Sequence, residues 1–264
     1  MLANLAKLFR YRGLILSLTA RELKARYRGS VLGFLWSFVN PLLLLSVYSF
    51  IFTYVLPNTT EGLQPYALFM VCGILPWTWL SASLTEGAGS LIAGGNLIKK
   101  VMFPAEVLPL VSVLANMVHF LLPLPIVMIL LVMFGRVPEA SGLVWLPLVI
   151  AVQLVFTTAL AFVLSALTVH FRDIRDILAN LLTLWFFCTP IIYFYGQKEV
   201  QPFRWVFNLN PASHLVISYQ EILFFQGAFG HWKWLVGLGA VSVVMFLGAY
   251  WLFDRLRDSF AEVV

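Results

Sequence analysis

Long stretches without a charged residue alternate with short charged segments along the whole chain. A helix needs about 20 apolar residues to cross the roughly 30 Å hydrocarbon core of a bilayer. Six stretches are that long, namely 29–60, 62–85, 107–135, 140–171, 177–197 and 234–253. They are too long for barrel strands, so the backbone must be satisfied within helices. The pattern predicts an all-α membrane protein whose six transmembrane helices cover 31–56, 64–85, 107–134, 143–169, 177–196 and 234–253.

The composition agrees with this pattern, and the distribution of charged residues predicts how the spans are oriented in the membrane. Hydrophobic residues make up 61% and charged residues 11% of the chain, about half the usual charged share of a globular protein. Of the 17 Lys and Arg residues, thirteen flank one side of the predicted spans and four the other. Cytoplasmic flanks carry the excess of positive charge, so both termini are predicted to be cytoplasmic. The net charge of +5 therefore reflects topology, and no nucleic-acid partner is expected.

Residues 1–30 predict an amphipathic helix on the cytoplasmic membrane surface. Apolar side chains recur there at helical spacing and share one face, and Arg21, Lys24 and Arg28 form a basic stripe beside them. Glu22 precedes Arg26 by four residues, the favourable order for an ion pair within a helix. An anchor on anionic lipid and a platform for a cytoplasmic partner both fit this segment. The predicted apolar face consists of Leu16, Ala20, Leu23 and Tyr27.

The second cytoplasmic loop is predicted to run from Glu86 to Glu106, interrupted by Gly87, Gly89 and two later glycines. Its segment 90–104 mixes apolar and basic residues and is too short to form a domain. Two interpretations remain open from the residues alone. It is a tight turn whose lysines follow the topology rule, or a short helix that docks into a cleft on a partner.

The outer segment between the fifth and sixth spans, 198–233, is strongly apolar for a loop. Pro202 and Pro211 suit first helical positions, and Asn210 suits an N-cap. We predict two short helices, about 202–208 and 211–225, that dip into the outer leaflet. They form either a lid without function or a gate at the outer end of a pathway.

Polar side chains inside spans are costly unless they face the bundle interior. Ser112, Asn116 and His119 share one face of the third span, where hydrogen bonding between helices is the favoured interpretation and a pathway the alternative. A second stripe, in the fourth span, consists of Gln153, Thr157, Ala161 and Ser165. Aromatic side chains within spans suit sugar rings, whose C–H faces pack on them, and these are Tyr48, Phe52, Phe186, Phe187 and Tyr193.

Several kinds of chemistry are absent from the sequence. There is no P-loop pattern and no Gly-Lys dipeptide, so the chain has no such device for ATP phosphates. There is no intramembrane carboxylate in the predicted spans for a proton or sodium relay. Cys72 and Cys188 lie in spans and are expected to be packing residues rather than metal ligands. A transporter built this way needs its energy from another subunit, and no catalytic, cofactor or metal site is expected.

Six motifs in order resemble those of ABC-2 type permeases that export polysaccharides, the membrane subunits of O-antigen, capsule and teichoic acid exporters. The resemblance covers nearly the whole chain. The motifs are Arg21–Trp36 followed by Asn40-Pro41; Gly73–Trp77; Leu97–Lys100 with Phe103-Pro104; Phe171–Ile174; Thr189–Tyr193; and Asn210-Pro211.

The resemblance implies a homodimer joined to two copies of a separate ATPase subunit, with ATP and Mg bound on that partner. It implies that 90–104 contains the coupling helix, that the loop at Phe171–Asp173 is a second contact region, and that 202–225 forms the outer gate. The ATPase-facing residues expected on this basis are Arg21, Glu22, Asn96, Lys99, Lys100, Phe103, Arg172 and Asp173. The expected gate residues are Trp205, Asn210, Pro211 and Tyr219.

The family's channel carries a glycan attached to a polyprenyl diphosphate lipid. Candidate channel residues on this chain are Tyr48, Phe52, Asn116, His119, Phe186, Phe187 and Tyr193. Arg26 and Arg28, from their charge and position, are a hypothesis for contact with the lipid diphosphate. The sequence thus predicts an inner-membrane permease that exports lipid-linked polysaccharide, with O-antigen the expected cargo.

Two alternatives stay open at this point. The same architecture would serve an exporter of a small drug or a glycolipid. A membrane enzyme acting on lipid-linked sugars would instead use the outer polar residues Arg204, His214, Glu221 and His231.

Overall fold

The computed structural model describes residues 10–55, 63–100, 103–198 and 200–263. Within these ranges the protein is helical and contains no strand. Short 3₁₀ turns at Gly33–Leu35 and Gln201–Phe203 and a π-helical turn at Ile51–Val55 complete the regular structure. The α-helices are α1 Arg12–Arg26, α2 Trp36–Phe50, α3 Tyr66–Ala93, α4 Gly95–Lys100, α5 Val107–Leu121, α6 Leu124–Met133, α7 Ala140–Leu143, α8 Leu146–His170, α9 Ile174–Phe187, α10 Arg204–Leu209, α11 Pro211–Leu223 and α12 Trp232–Val263.

Five helical segments of the described chain are long and apolar enough to cross a membrane: Trp36–Val55, Tyr66–Ala93, Val107–Met133, Ala140–His170 and Trp232–Arg257. The predicted span at 177–196 is helical only as far as Phe187, the end of α9. Pro190 lacks a backbone N–H and disfavours the helical conformation of the residue before it, which ends the helix. Fourteen residues extend for about 21 Å, so the count of six spanning helices stays a prediction.

Helix α3 is the centre of the bundle. It packs against α5, α8 and α11, and α12 packs along α8. The helix of the second predicted span continues beyond residue 85, through Gly87 and Gly89 to Ala93. A Cβ atom at Gly87 would lie 3.1 Å from the Cβ of Ala161. Glycine thus allows α3 and α8 to approach closely, and this packing outweighs the low helix propensity of glycine.

Helix α1 lies on α5, although with a different face from the one predicted. Ile15 is buried against Val107 and Val111, whereas Leu16, predicted to be on the apolar face, is 67% exposed. The predicted stripe was derived from α1 alone, and the contact with α5 selects the neighbouring face. The end of the bundle that carries α1, α4 and the start of α9 is rich in Arg and Lys, and we call it the basic end.

Helix α11 is buried within the bundle. Tyr219 is fully buried and contacts Phe120 of α5 at 5.3 Å between ring centroids, and Phe120 stacks on Trp79 at the middle of α3. Asn210 caps α11 as predicted, since its Oδ1 accepts a hydrogen bond from the N–H of Ala212. Helix α11 is therefore enclosed by neighbouring helices, whereas α10, which leads into it, is mostly exposed.

Candidate functional site

A polar network joins three helices close to the basic end. The Arg26 side chain of α1 donates hydrogen bonds to Asn116 Oδ1 of α5, at 2.9 Å, and to the Glu86 carboxylate of α3. Asn116 Nδ2 donates to Glu86 at 2.7 Å. The expected pair of Arg26 with Glu22 was wrong, because Arg26 reaches the carboxylate of Glu86 instead. Glu86 was missing from the predicted site residues, and its signal was an acidic residue directly after an apolar run.

A second chain of hydrogen bonds continues this network towards α2. His119 Nδ1 lies 2.9 Å from the hydroxyl of Tyr27, and that hydroxyl lies 2.6 Å from Ser37 Oγ. The buried Nε2 of His119 has no hydrogen-bond partner among the residues that the structure describes. Asn116 and His119 therefore connect α5 to α1 and α2, which is the hydrogen bonding between helices favoured for the polar residues of the third span. A channel role for either residue stays a prediction.

A cavity of about 420 Å³ lies beside this network, between the end of α1 and helices α2, α3 and α5. Arg26 and His119 line it together with Asn40, Trp36 and Thr78. Arg28 lies just past α1, is exposed, and forms no ion pair with any residue that the structure describes. The two arginines assigned to the lipid diphosphate thus differ: one is bonded within the protein and the other is open to solvent.

The expected ATPase-facing residues come together in part. Arg21 and Glu22 line a cleft of about 340 Å³ with Leu97 of α4 and Arg175 of α9. The guanidinium of Arg175 lies over Gly89, with its Cζ 3.5 Å from the position of a Cβ atom there. Sequence reasoning missed Arg175, although it follows the Phe171–Ile174 motif directly. The cleft thus joins α1, the end of α3, α4 and the start of α9.

The remaining ATPase-facing candidates surround this cleft or lie near it. Asn96, Lys99, Arg172 and Asp173 are exposed, and Phe103 is half-buried against the α1–α5 contact. The side chain of Lys100 lies outside the described residues. Between residues 90 and 104, the described helix after α3 is only Gly95–Lys100, shorter than the coupling segment expected. A cleft with exposed charges of both signs is suited to docking a protein surface.

The candidate channel aromatics form two groups that meet through α3. Tyr48 and Phe52 are neighbours on the first span, and Phe52 contacts Tyr66 at 4.9 Å between ring centroids. The hydroxyl of Tyr66 donates to the carbonyl of Ile192 at 2.6 Å, next to Tyr193. These rings lie at the end of the bundle opposite the basic end.

The second group follows α9. Phe186 contacts Trp77 at 5.8 Å, Phe187 is 59% exposed, and Tyr193 donates from its hydroxyl to the carbonyl of Phe187 at 2.7 Å. Asn116 and His119 belong to the network near the basic end instead. All seven candidates therefore have a contact within the described chain, and among them Phe187 alone presents a largely exposed ring.

The gate candidates are positioned by α9. Trp185 Nε1 donates to Asn210 Oδ1 at 2.7 Å, and Asn210 Nδ2 donates to the carbonyl of Cys188 at 2.9 Å. Pro211 is the first residue of α11 and Tyr219 is packed inside the bundle, whereas Trp205 is 64% exposed. Asn210 thus joins the start of α11 to the end of α9.

The polar residues required by the enzyme alternative hold a loop in place. Glu221 accepts hydrogen bonds from the backbone N–H groups of Gly230 and His231, at 3.1 and 3.0 Å. His214 Nδ1 lies 2.9 Å from His231 Nε2. Burial, with the neighbouring His214, lowers the pKa of His231 to about 4; burial lowers the pKa of His214 and raises that of Glu221. These contacts fasten the segment before α12 to α11.

The sequence of this chain is similar to those of several known proteins. The family model described as "ABC-2 type transporter" matches residues 13–224. The chain is 42% identical over 265 residues to "O-antigen export system permease protein RfbA" of Myxococcus xanthus, covering 100% of both chains. It is 33% identical over 261 residues to a protein of the same description from Klebsiella pneumoniae, covering 99% of this chain and 97% of that one. It is 20% identical over 202 residues to "Polysialic acid transport protein KpsM" of Escherichia coli, covering 76% and 77%.

Proposed function

This chain belongs to the ABC-2 type transporter family, and we propose that it is the permease subunit of an ATP-driven exporter that moves lipid-linked polysaccharide, O-antigen in particular, across the bacterial inner membrane. The full-length similarity to an O-antigen export permease is the observation that carries this proposal. The proposed assembly is a homodimer with two ATPase subunits, and both termini lie in the cytoplasm.

The cleft at the basic end is the proposed docking site for the ATPase subunit. It combines Arg21 and Glu22 of α1 with Leu97 of α4 and Arg175 of α9. Closure of the ATPase dimer on ATP would press on this cleft. The network of Arg26, Glu86 and Asn116 connects the same helix α1 to α3 and α5, so displacement of α1 reaches the spanning helices.

The glycan is proposed to pass between the two copies, along faces that are exposed in the single chain. Most described side chains of α9 are exposed, including Leu184 and Phe187, and α2 exposes Leu43 and Val47. In a membrane such faces contact lipid or another helix, and here they are proposed to meet the second copy. Aromatic rings such as Phe187 would hold a sugar chain through C–H contacts weak enough for sliding. The pair α10–α11, with Trp205 and Tyr219, is the proposed gate.

The lipid diphosphate is proposed to meet Arg28 at the basic end. Arg28 is exposed, whereas Arg26 lines the neighbouring cavity and already donates to Glu86 and Asn116. Arg28→Ala is expected to lower export, and Lys24→Ala, which removes the same charge from the same exposed stripe, is the matched control. Normal export by the Arg28→Ala and Arg26→Ala proteins at intact protein levels would remove the diphosphate contact from the proposal.

Two experiments test the function itself. Affinity purification from native membranes in mild detergent should recover a P-loop ATPase subunit at a one-to-one ratio, in a complex sized for two of each. Deletion of the gene should abolish surface polysaccharide while its lipid-linked precursor accumulates inside the cell, and the intact gene should restore display. A deletion strain with normal surface polysaccharide and increased retention of a labelled drug would instead establish the small-molecule exporter.

A further inference from the structure

A cavity of about 410 Å³ lies at the end of the bundle opposite the basic end. Its walls come from the segment after α9, the first residue of α10, the second half of α11 and the loop before α12. Sites for small molecules in proteins are concave and of about 300–1,000 Å³, so this cavity has the size of a ligand site.

The cavity combines aromatic faces with polar groups. Phe194, Tyr195 and Phe225 line it, and the rings of Phe194 and Phe225 lie 5.3 Å apart between centroids. Arg204 and Glu221 line the same space. A sugar residue offers C–H faces for aromatic rings and hydroxyl groups for a guanidinium or a carboxylate. An acyl chain would offer no hydrogen bond to either charged group, and Arg204 would lose water without a replacement partner, which is costly.

The charged side chains that line the cavity do not favour a strongly ionic ligand. Arg204 brings one positive group, with its Cζ 5.0 Å above the ring of Tyr195, and it has no carboxylate partner among the described residues. Glu221 brings a carboxylate whose other contacts are backbone N–H groups. One group of each sign gives a nearly neutral cavity, which suits a neutral sugar better than a diphosphate.

The lining is held in place before any ligand arrives. The hydroxyl of Tyr195 donates to Asn208 Oδ1 at 2.8 Å, which fixes that ring. Gln220 Nε2 donates to the carbonyl of Pro190 at 3.1 Å, and Glu221 holds the loop at Gly230. These bonds join three of the four walls. A cavity whose side chains are already ordered loses little conformational entropy on binding.

We infer that this cavity binds neutral sugar residues of the exported glycan beside the pair α10–α11, on the exit side of the path. The inference rests on the proposed function, which supplies the glycan and the direction of its movement. Transient binding of the emerging segment there would oppose backward sliding of the chain between ATP cycles.

The test measures contact between sugar and ring protons directly. The full-length protein, purified with its native partners in lipid nanodiscs, is mixed with short oligosaccharides cut from the polysaccharide that the native cells display. Saturation-transfer NMR from the aromatic protons to the sugar ring protons is recorded without ATP. Tyr195→Leu and Phe225→Leu are each expected to weaken binding roughly three- to tenfold. Phe203→Leu, an exposed aromatic residue of the same segment outside the cavity, is the matched control.

A conservative variant separates contact from folding. Tyr195→Phe keeps the ring and loses the hydrogen bond to Asn208, so it should retain most of the transfer. Equal transfer in all four variants and the unchanged protein would overturn the inference. So would displacement of the oligosaccharide by inorganic diphosphate at equal concentration.

ATP-driven glycan transport by the unchanged protein is assayed on the same preparation. If the unchanged protein transports glycan but the cavity variants bind the oligosaccharide as well as it does, only the inference about the cavity is refuted. Absence of glycan transport in an active, ATP-hydrolysing complex removes the proposed function as well.

Discussion

The ion pair of Arg26 and Glu86 is expected to make a measurable contribution to stability. It joins helices separated by 60 residues in sequence, and Asn116 bonds to both partners. The Arg26 side chain is 24% exposed and that of Glu86 38%. Exposed pairs are worth about 0.2–1 kcal/mol, and breaking a buried pair costs about 3–5 kcal/mol. Since the latter figure is the cost of removing one partner and not a coupling energy, the coupling here is expected only modestly above that of exposed pairs, at about 1–2 kcal/mol.

A double-mutant cycle with Arg26→Gln and Glu86→Gln isolates this coupling, because each change removes a charge and keeps a polar side chain. The free energy of unfolding is measured in mixed micelles by titration with a denaturing detergent and followed by tryptophan fluorescence. Arg257 and Asp254, a pair at 3.6 Å one turn apart on α12, supply the control cycle. Their expected coupling is about 0.3–0.5 kcal/mol.

The same variants test whether the network transmits motion. If α1 carries movement from the ATPase to α3 and α5, Glu86→Gln should reduce the amount of glycan exported per ATP hydrolysed while ATP hydrolysis continues. A coupling energy no larger than that of the control pair would refute the energetic argument. Unchanged export per ATP in the stable variants would refute the transmission argument.

Three further variants probe packing, capping and protonation, and each is checked by thermal unfolding in detergent. Gly87→Leu is expected to lower stability by about 1–3 kcal/mol, since α3 and α8 already touch at this position, whereas Gly237→Leu, on an open face of α12, should change it little. Asn210→Ala should lower the free energy of unfolding by about 1–3 kcal/mol through loss of the cap of α11 and of its bonds to the end of α9. Equal melting temperatures of the variant and the unchanged protein would contradict this role. The pKa of His231 is lowered from 6.5 to about 4 and that of His214 is lowered as well, so at these two groups the unfolded state binds more protons, and their contribution to stability should fall as the pH drops from about 6.5 towards 4. The raised pKa of Glu221 acts in the opposite direction. His231→Gln should flatten that dependence, and an equally steep dependence would locate its cause elsewhere.

Local features of the chain were readable from the sequence because they depend on neighbouring residues. Uncharged runs long enough for a bilayer predicted four spans that the structure describes at nearly the expected places, together with the second one, whose helix extends to Ala93. Asn210-Pro211 predicted the start of α11, and the ordered motifs identified the family. Pro190 also indicated, from the sequence alone, that α9 ends early. The prediction of a span at 177–196 did not take this proline into account.

Only the tertiary structure decided which distant groups meet. Arg26 had a nearby candidate in Glu22, yet the packing of α1 on α5 turns it towards Glu86 and Asn116. The same contact buries Ile15 and exposes Leu16.

Local sequence thus determined that this protein lies in a membrane as helices, because the cost of placing charge in lipid and the capping of helix ends are set within one or two turns. The rotation of each helix, the continuation of α3 past Glu86 and the burial of α11 depend on surfaces that come together only when the chain folds. The free energy that favours these arrangements comes from contacts between pairs of helices, so it cannot be read from any single segment of the sequence.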